Sequence, residues 1–89
     1  MKQVFKYLVP IVGNFEILMP EGAEILTVGT QKERPFLWVL VDATKSMVVR
    51  YFKLFGTGQL IGDFLNIKYI GTFMEDQEDY VWHLFELIS

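Results

Sequence analysis

The stretch Phe36-Leu37-Trp38-Val39-Leu40-Val41 places six apolar side chains in succession. Consecutive residues of a strand face opposite ways, so this run predicts a strand buried on both faces. Such a strand belongs to a two-sided β core, or to a β surface completed by another copy of the chain. The segments around it alternate. In residues 3–9, Phe5, Tyr7 and Val9 share one face and Lys6 takes the other. Pro10 and Gly13-Asn14 mark a turn, after which Phe15, Ile17 and Met19 share a face of a second strand. Pro20-Glu21-Gly22 supplies the next turn, with proline fixing φ and glycine two residues on.

Residues 24–30 read as a third strand, closed by the polar Gln31-Lys32-Glu33-Arg34, and Pro35 opens the fourth, where a sheet tolerates proline. Asp42-Ala43-Thr44-Lys45 turns the chain into residues 46–55, the longest β candidate. There Met47, Val49, Tyr51, Lys53 and Phe55 share one face, and Val48, Arg50, Phe52 and Leu54 the other. Residues 67–73 and 80–87 form a last hairpin around the acidic turn 75–79. Val81, Leu84, Phe85 and Ile88 also fit a helical stripe. The Trp, Tyr, Phe and Val there prefer a pleated sheet, so the reading is strand.

Residues 56–66 are too many for a tight hairpin. They carry Leu60, Ile61, Phe64 and Leu65 and are expected to fold back and dock, with a helical turn at 63–66. Gly-Thr recurs at Gly29, Gly56 and Gly71 with unequal spacing, which marks strand ends or bulges rather than a repeat. The expected fold is all-β: a single domain, 1–89, forming a small antiparallel barrel or sandwich of about seven strands with one long docked loop.

Composition changes this picture in one respect. An apolar share of 52%, including eight Phe, four Tyr and two Trp, is more than an 89-residue body readily hides. Some aromatic surface is therefore expected to be buried against a partner, most simply in a homo-oligomer. The net charge of −3 lacks the cationic excess that displaces phosphate counterions, so duplex nucleic acid is not an expected partner. A local basic pocket for one phosphorylated ligand stays open. Without Cys there is no disulfide, thiolate nucleophile or sulfur-based zinc site. Lys6 and Asn14-Phe15-Glu16 interrupt any apolar leader after Met1-Lys2, and no apolar run nears the ~20 residues of a membrane span. A cytosolic protein of bacterial or viral origin is expected, with no membrane partner and no cofactor.

Candidate chemistry is sparse. His83 is the single histidine, set between Trp82 and Leu84, and lacks the companion ligands of a metal site. Glu75, Asp76, Glu78 and Asp79 lack EF-hand spacing and read as a solvated turn. Asp42 reads as a turn initiator, and Ser46 and Ser89 lie in no nucleophile elbow. The best candidate is the segment from Arg50 to Gln59. Arg50 and Lys53 supply charge from opposite faces of a regular strand. Gly56-Thr57-Gly58 follows, where glycines let backbone N–H groups approach an anion and Thr57 adds a hydroxyl. A bare Gly-x-Gly equally makes a strand-to-loop turn. Trp38, Trp82 and Tyr80 offer rings for stacking, although at β spacing such rings more often form core or interface. The candidate ligand-binding residues are Arg50, Lys53, Gly56, Thr57, Gly58, Trp38 and His83. Catalysis has only His83 with Asp42 or Glu86 to draw on, and no enzyme is expected.

Several strings are more distinctive than strand composition. They are Lys6-Tyr7-Leu8-Val9-Pro10, Pro20-Glu21-Gly22-Ala23 with Ile25-Leu26, and Leu37-Trp38 with Leu40-Val41-Asp42. Arg50 through Gly58, Tyr69-Ile70-Gly71-Thr72-Phe73 and Val81-Trp82-His83-Leu84-Phe85-Glu86 complete them. Through these the chain resembles, nearly end to end, a family of short bacteriophage and prophage proteins catalogued only as a domain of unknown function. The resemblance implies a viral origin and an accessory role, and brings no catalytic activity with it. By analogy with such phage proteins, the expectation is a non-catalytic binding protein in the host bacterial cytoplasm. It sequesters a phosphorylated, nucleotide-type ligand in the manner of an anti-defence protein. The alternatives are an inhibitor that binds a host enzyme and a minor virion or assembly component.

Overall fold

A computed structural model describes residues 1–63, 66–75, 77 and 79–88. The expected all-β architecture is present, as seven strands: β1 (Gln3–Leu8), β2 (Asn14–Pro20), β3 (Glu24–Gln31), β4 (Arg34–Val41), β5 (Met47–Gly56), β6 (Ile67–Glu75) and β7 (Tyr80–Leu87). They form two antiparallel sheets, which we name A (order β1-β4-β3) and B (order β2-β5-β7-β6). The sheets do not close on each other, so of the two architectures expected the chain adopts the sandwich. Tyr80–Leu87 is strand, not helix. The helical turn expected at 63–66 and the acidic turn at 75–79 both include residues outside those described.

Alternation decides which side chains meet between the layers. In β4, Leu37, Val39 and Val41 are fully buried, while Phe36, Trp38 and Leu40 between them are half-buried on the outer side. The apolar run thus has one face in the core and one outside, rather than two faces within a single molecule. From sheet B, Met19, Phe52, Leu54, Phe73 and Leu84 point inward to meet β4, with Val9 and Val28 completing the interior. Burying such side chains drives the two layers together, at about 1.5–3 kcal/mol for each large one. The turns follow local rules. Gly22 adopts φ +78° where Ala23 N–H donates to Pro20 O, and Asp42 Oδ1 accepts from the Thr44 N–H and hydroxyl. Those two bonds hold the Asp42 carboxyl below its ordinary pKa.

Two bulges set the register of the sandwich edge. Leu26 is the extra residue where β3 shifts against β4, and Ile70 is the extra residue where β6 shifts against β7. In a regular strand Val28 would share the outward face of Leu26, because the side-chain period is two. The bulge turns Val28 inward instead, to a buried position. The second bulge turns Gly71 inward in the same way, opposite Leu84. These two residues then meet where the sheets come together, and a Cβ at Gly71 would lie 2.6 Å from Val28 Cγ1. Gly71 is a bulge glycine and Gly56 a strand-end glycine, as expected. Gly29 is neither: it lies inside β3 beneath the Trp38 ring, 3.5 Å from where its Cβ would be.

The close approach at Gly71 predicts that Gly71→Ala destabilises the fold by roughly 1–3 kcal/mol, the usual cost of overpacking. Adding Val28→Ala should restore part of the loss, and urea denaturation of the single and double variants reads both. A second prediction concerns Tyr7, whose hydroxyl is buried without a partner and whose pKa is raised by that burial. Tyr7→Phe should stabilise by about 1 kcal/mol, because an unsatisfied buried hydroxyl is removed. A raised pKa favours the neutral phenol. Its contribution is therefore fully present below the unfolded value of about 10 and is lost as pH rises from there through the folded pKa. Stability followed against pH should fall above about 10 in wild type and fall less in Tyr7→Phe.

Candidate functional site

The register of sheet B gathers one cluster on its outer face. Phe55, His83 and Thr72 form a row across β5, β7 and β6, and Lys53, Phe85 and Tyr69 form the next. Thr72 joins this face because the Ile70 bulge shifts β6 by one residue. A regular strand would have pointed it inward. The chain after β5 folds back over these rows, so that Phe55 is 3% exposed despite facing outward. Phe85 meets the Phe55 ring edge-on at 5.6 Å and the Tyr69 ring at 5.4 Å. Together with Thr57, Ile61 and His83 these rings line a cavity of about 200 Å³.

Polar groups converge at its rim. Thr57 Oγ1 lies 2.7 Å from His83 Nε2, and Thr72 Oγ1 lies 2.9 Å from His83 Nδ1. The Tyr69 hydroxyl is 2.5 Å from Thr72 Oγ1. A neutral imidazole donates from one nitrogen and accepts at the other. In that form one threonine donates to the ring while the other accepts from it, and a ligand that replaces either can choose the tautomer. A hydroxyl beside an imidazole is half of a nucleophile–base arrangement. Here another hydroxyl, not a carboxylate, holds the far side of the ring. Asp42 is bonded to Thr44 and Glu86 faces the interior, so neither carboxylate considered from sequence reaches His83.

The Gly-Thr-Gly segment is a turn. Gln59 N–H donates to Gly56 O at 3.1 Å, and Gly58 adopts φ +87°, as the third residue of a type II turn requires. Gln59 Oε1 accepts from Gly56 N–H at 3.0 Å, so that donor is already engaged within the loop. The turn presents Thr57 to His83.

Arg50 and Trp38 are elsewhere. Arg50 points into the sandwich, where its Nε and Nη2 donate to both carboxylate oxygens of Glu86 at 2.5 and 2.9 Å. Its Nη1 donates to Ala23 O at 2.7 Å, tying sheet B to the start of β3. Both side chains are largely buried, with 21% and 7% exposure. The bidentate bonds from Glu86 favour the charged form and raise the Arg50 pKa above its ordinary high value, against the opposing effect of burial. A cavity of about 410 Å³ beside the pair also touches Lys68 and Glu24, so two cations face two carboxylates there. An anion gains little from that balance. Trp38 stands on the outer face of sheet A, on the other side of the molecule.

The candidates from sequence thus separate. Lys53, Gly56, Thr57, Gly58 and His83 share the outer face of sheet B, Lys53 with its Nζ 5.8 Å from the centre of the Phe55 ring. Arg50 lies inside and Trp38 lies opposite. Thr72, Tyr69 and Phe85 escaped the sequence reading, since only the bulge aligns the last hairpin. The signal present was Gly71, a glycine inside a strand. Among the described residues, no group of three or more His, Asp or Glu is placed to hold a metal ion, and no helix is long and apolar enough to cross a membrane.

Fold and site define a small open β-sandwich with a ring-lined recess on one face. The chain belongs to the family described as Domain of unknown function (DUF7352), whose model matches residues 1–89. No curated protein matches it, and no solved structure does.

The interior pair carries a stability prediction. Arg50→Ala leaves Glu86 as an unpaired buried carboxylate and should cost about 3 kcal/mol at neutral pH. Arg50→Met combined with Glu86→Leu should recover most of it, since apolar replacement of a buried pair is often neutral. A single-variant cost below about 1 kcal/mol, the range of exposed pairs, would contradict the buried pairing.

Proposed function

We propose that this chain is a non-catalytic binding protein, a phage accessory protein that works in the host bacterial cytoplasm as a homo-oligomer. Its binding face is the outer side of sheet B, and its ligand is a phosphorylated small molecule of the nucleotide type. The observation that carries this reading is a recess lined by Thr57, His83, Tyr69, Phe55 and Phe85, with Thr72 beside it bonding both His83 and Tyr69. The Tyr69 ring, 55% exposed, can stack on a base without regard to sequence, and hydroxyl and imidazole groups bond its edge or its phosphate. Lys53 lies in the adjacent row and supplies positive charge. The phage origin and the anti-defence role rest on the sequence resemblance alone.

A second reading has its own observation. Leu18 and Val49 pair across β2 and β5 on the same outer face, 57% and 40% exposed, with Tyr51 beside them at 52%. An exposed apolar stripe of this kind suits contact with a host protein, as an inhibitor would make.

A thermal-shift panel of cyclic dinucleotides, cyclic trinucleotides and ADP-ribose derivatives separates the two. The first reading predicts stabilisation by at least one of them, lost in His83→Ala and in Thr57→Val. No shift at millimolar concentration with any of them would exclude it, and a stoichiometric host protein retained from lysate would then favour the second.

A further inference from the structure

Among the described residues nothing covers the outer face of sheet A, and every residue of that sheet is described. All three strands contribute apolar groups to it. Leu8 pairs with Phe36, Lys6 with Trp38 and Val4 with Leu40, while Thr27 and Gly29 flank Trp38 and Phe36 from β3. Val4, Leu8 and Leu26 are 54%, 51% and 46% exposed. The cation near the middle is held down: Lys6 Nζ donates to Gln31 Oε1 at 3.0 Å and sits 4.6 Å from the centre of the Phe36 ring.

The chain's exposed surface leaves room for one standard interface. The chain exposes 6072 Å², whereas a monomer of its 10.4 kDa exposes about 5,400 Å² by the usual scaling with mass. The surplus of roughly 700 Å² is close to the ~800 Å² that each partner buries in a standard interface. Its origin is shape, since the backbone forms a slab of 39 × 34 × 16 Å with two broad faces. One broad face carries the polar rim around His83. The other has an apolar centre and carries charges of both signs, Lys6 and Arg34 toward one end of the strands and Glu24 at the β3 edge toward the other. A patch bearing both signs can meet a copy of itself across a two-fold axis, because each copy then offers what the other lacks.

We propose that the outer face of sheet A is the two-fold interface of a homodimer, with Trp38 near its centre and a second copy of this chain as the occupant. The proposal deepens the self-association proposed above by assigning it to a face, and it leaves the recess on sheet B open to solvent.

Light scattering after size exclusion at ~100 μM, well above the dissociation constants of specific dimers, tests it. Wild type and Val49→Glu, which alters the opposite face, should both be dimers. Trp38→Glu and Leu8→Glu should be monomers with an unchanged near-UV circular dichroism spectrum. A charge at Leu8 disturbs no core contact, so Leu8→Glu decides the matter if Trp38→Glu fails to fold. A monomeric wild type would overturn both the self-association and its assigned face. A dimeric wild type with a dimeric Leu8→Glu would retain the self-association and overturn the face.

Discussion

A two-layer sandwich has one interior, and every strand in it can offer only one face to that interior. The rest of this structure follows from that constraint acting on a chain that is 52% apolar. Leu37, Val39 and Val41 fill the inner side of β4, and nothing inside remains for Phe36, Trp38 and Leu40. The same division runs through β5, where Phe52 and Leu54 are buried and Val49 and Tyr51 are left outside. Both broad faces of the slab are thus unusually apolar, and each is resolved differently. On sheet B the chain after β5 folds back and converts part of the face into a recess. On sheet A none of the described residues returns over the face.

Local irregularities make the interior possible. The Leu26 and Ile70 bulges each turn one residue to the other face, which brings Val28 against Gly71. Without a glycine at that point the two edge strands could not approach so closely. The Arg50–Glu86 pair closes the interior beside these bulges. It is anchored to the backbone of Ala23, and so couples β5 and β7 to the start of β3. Such a pair adds little net stability over an apolar replacement, but it is demanding of geometry and disfavours misaligned pairings. The Ile70 bulge has a second consequence on the other side of sheet B, where it brings Thr72 to His83. One backbone irregularity thus serves both packing and site.

Most of the fold was legible in the chain because alternation is a local property. The inward and outward sets of β1, β4 and β5 follow directly from a period of two, and the turn at Gly22 follows from its dipeptide chemistry. The strand pairing was not legible, because β1 with β4 and β2 with β5 are non-local partnerships that no local pattern encodes. Nor was the choice between barrel and sandwich. The candidate site was legible in part. Thr57 and His83 stood out by residue type, and of the apolar residues expected to dock the returning loop Ile61 lines the recess, whereas Leu60 is 91% exposed. Arg50 was read as a ligand group because its charge was visible and its buried partner, on a strand paired through the fold, was not. Thr72 and Tyr69 were hidden by a register shift that one glycine only hinted at.

The central claim is that the two outer faces have different fates, with sheet A closed by a second copy and sheet B left open as the working surface. Methyl NMR of the wild-type protein with a soluble paramagnetic agent tests it directly. In the single chain, Val4, Leu8 and Leu26 on sheet A are about as exposed as Leu18 and Val49 on sheet B. The account predicts that the sheet A methyls are as protected as those of core residues such as Leu37, while Leu18 and Val49 broaden strongly. Equal broadening on both faces, or protection on sheet B alone, would contradict it.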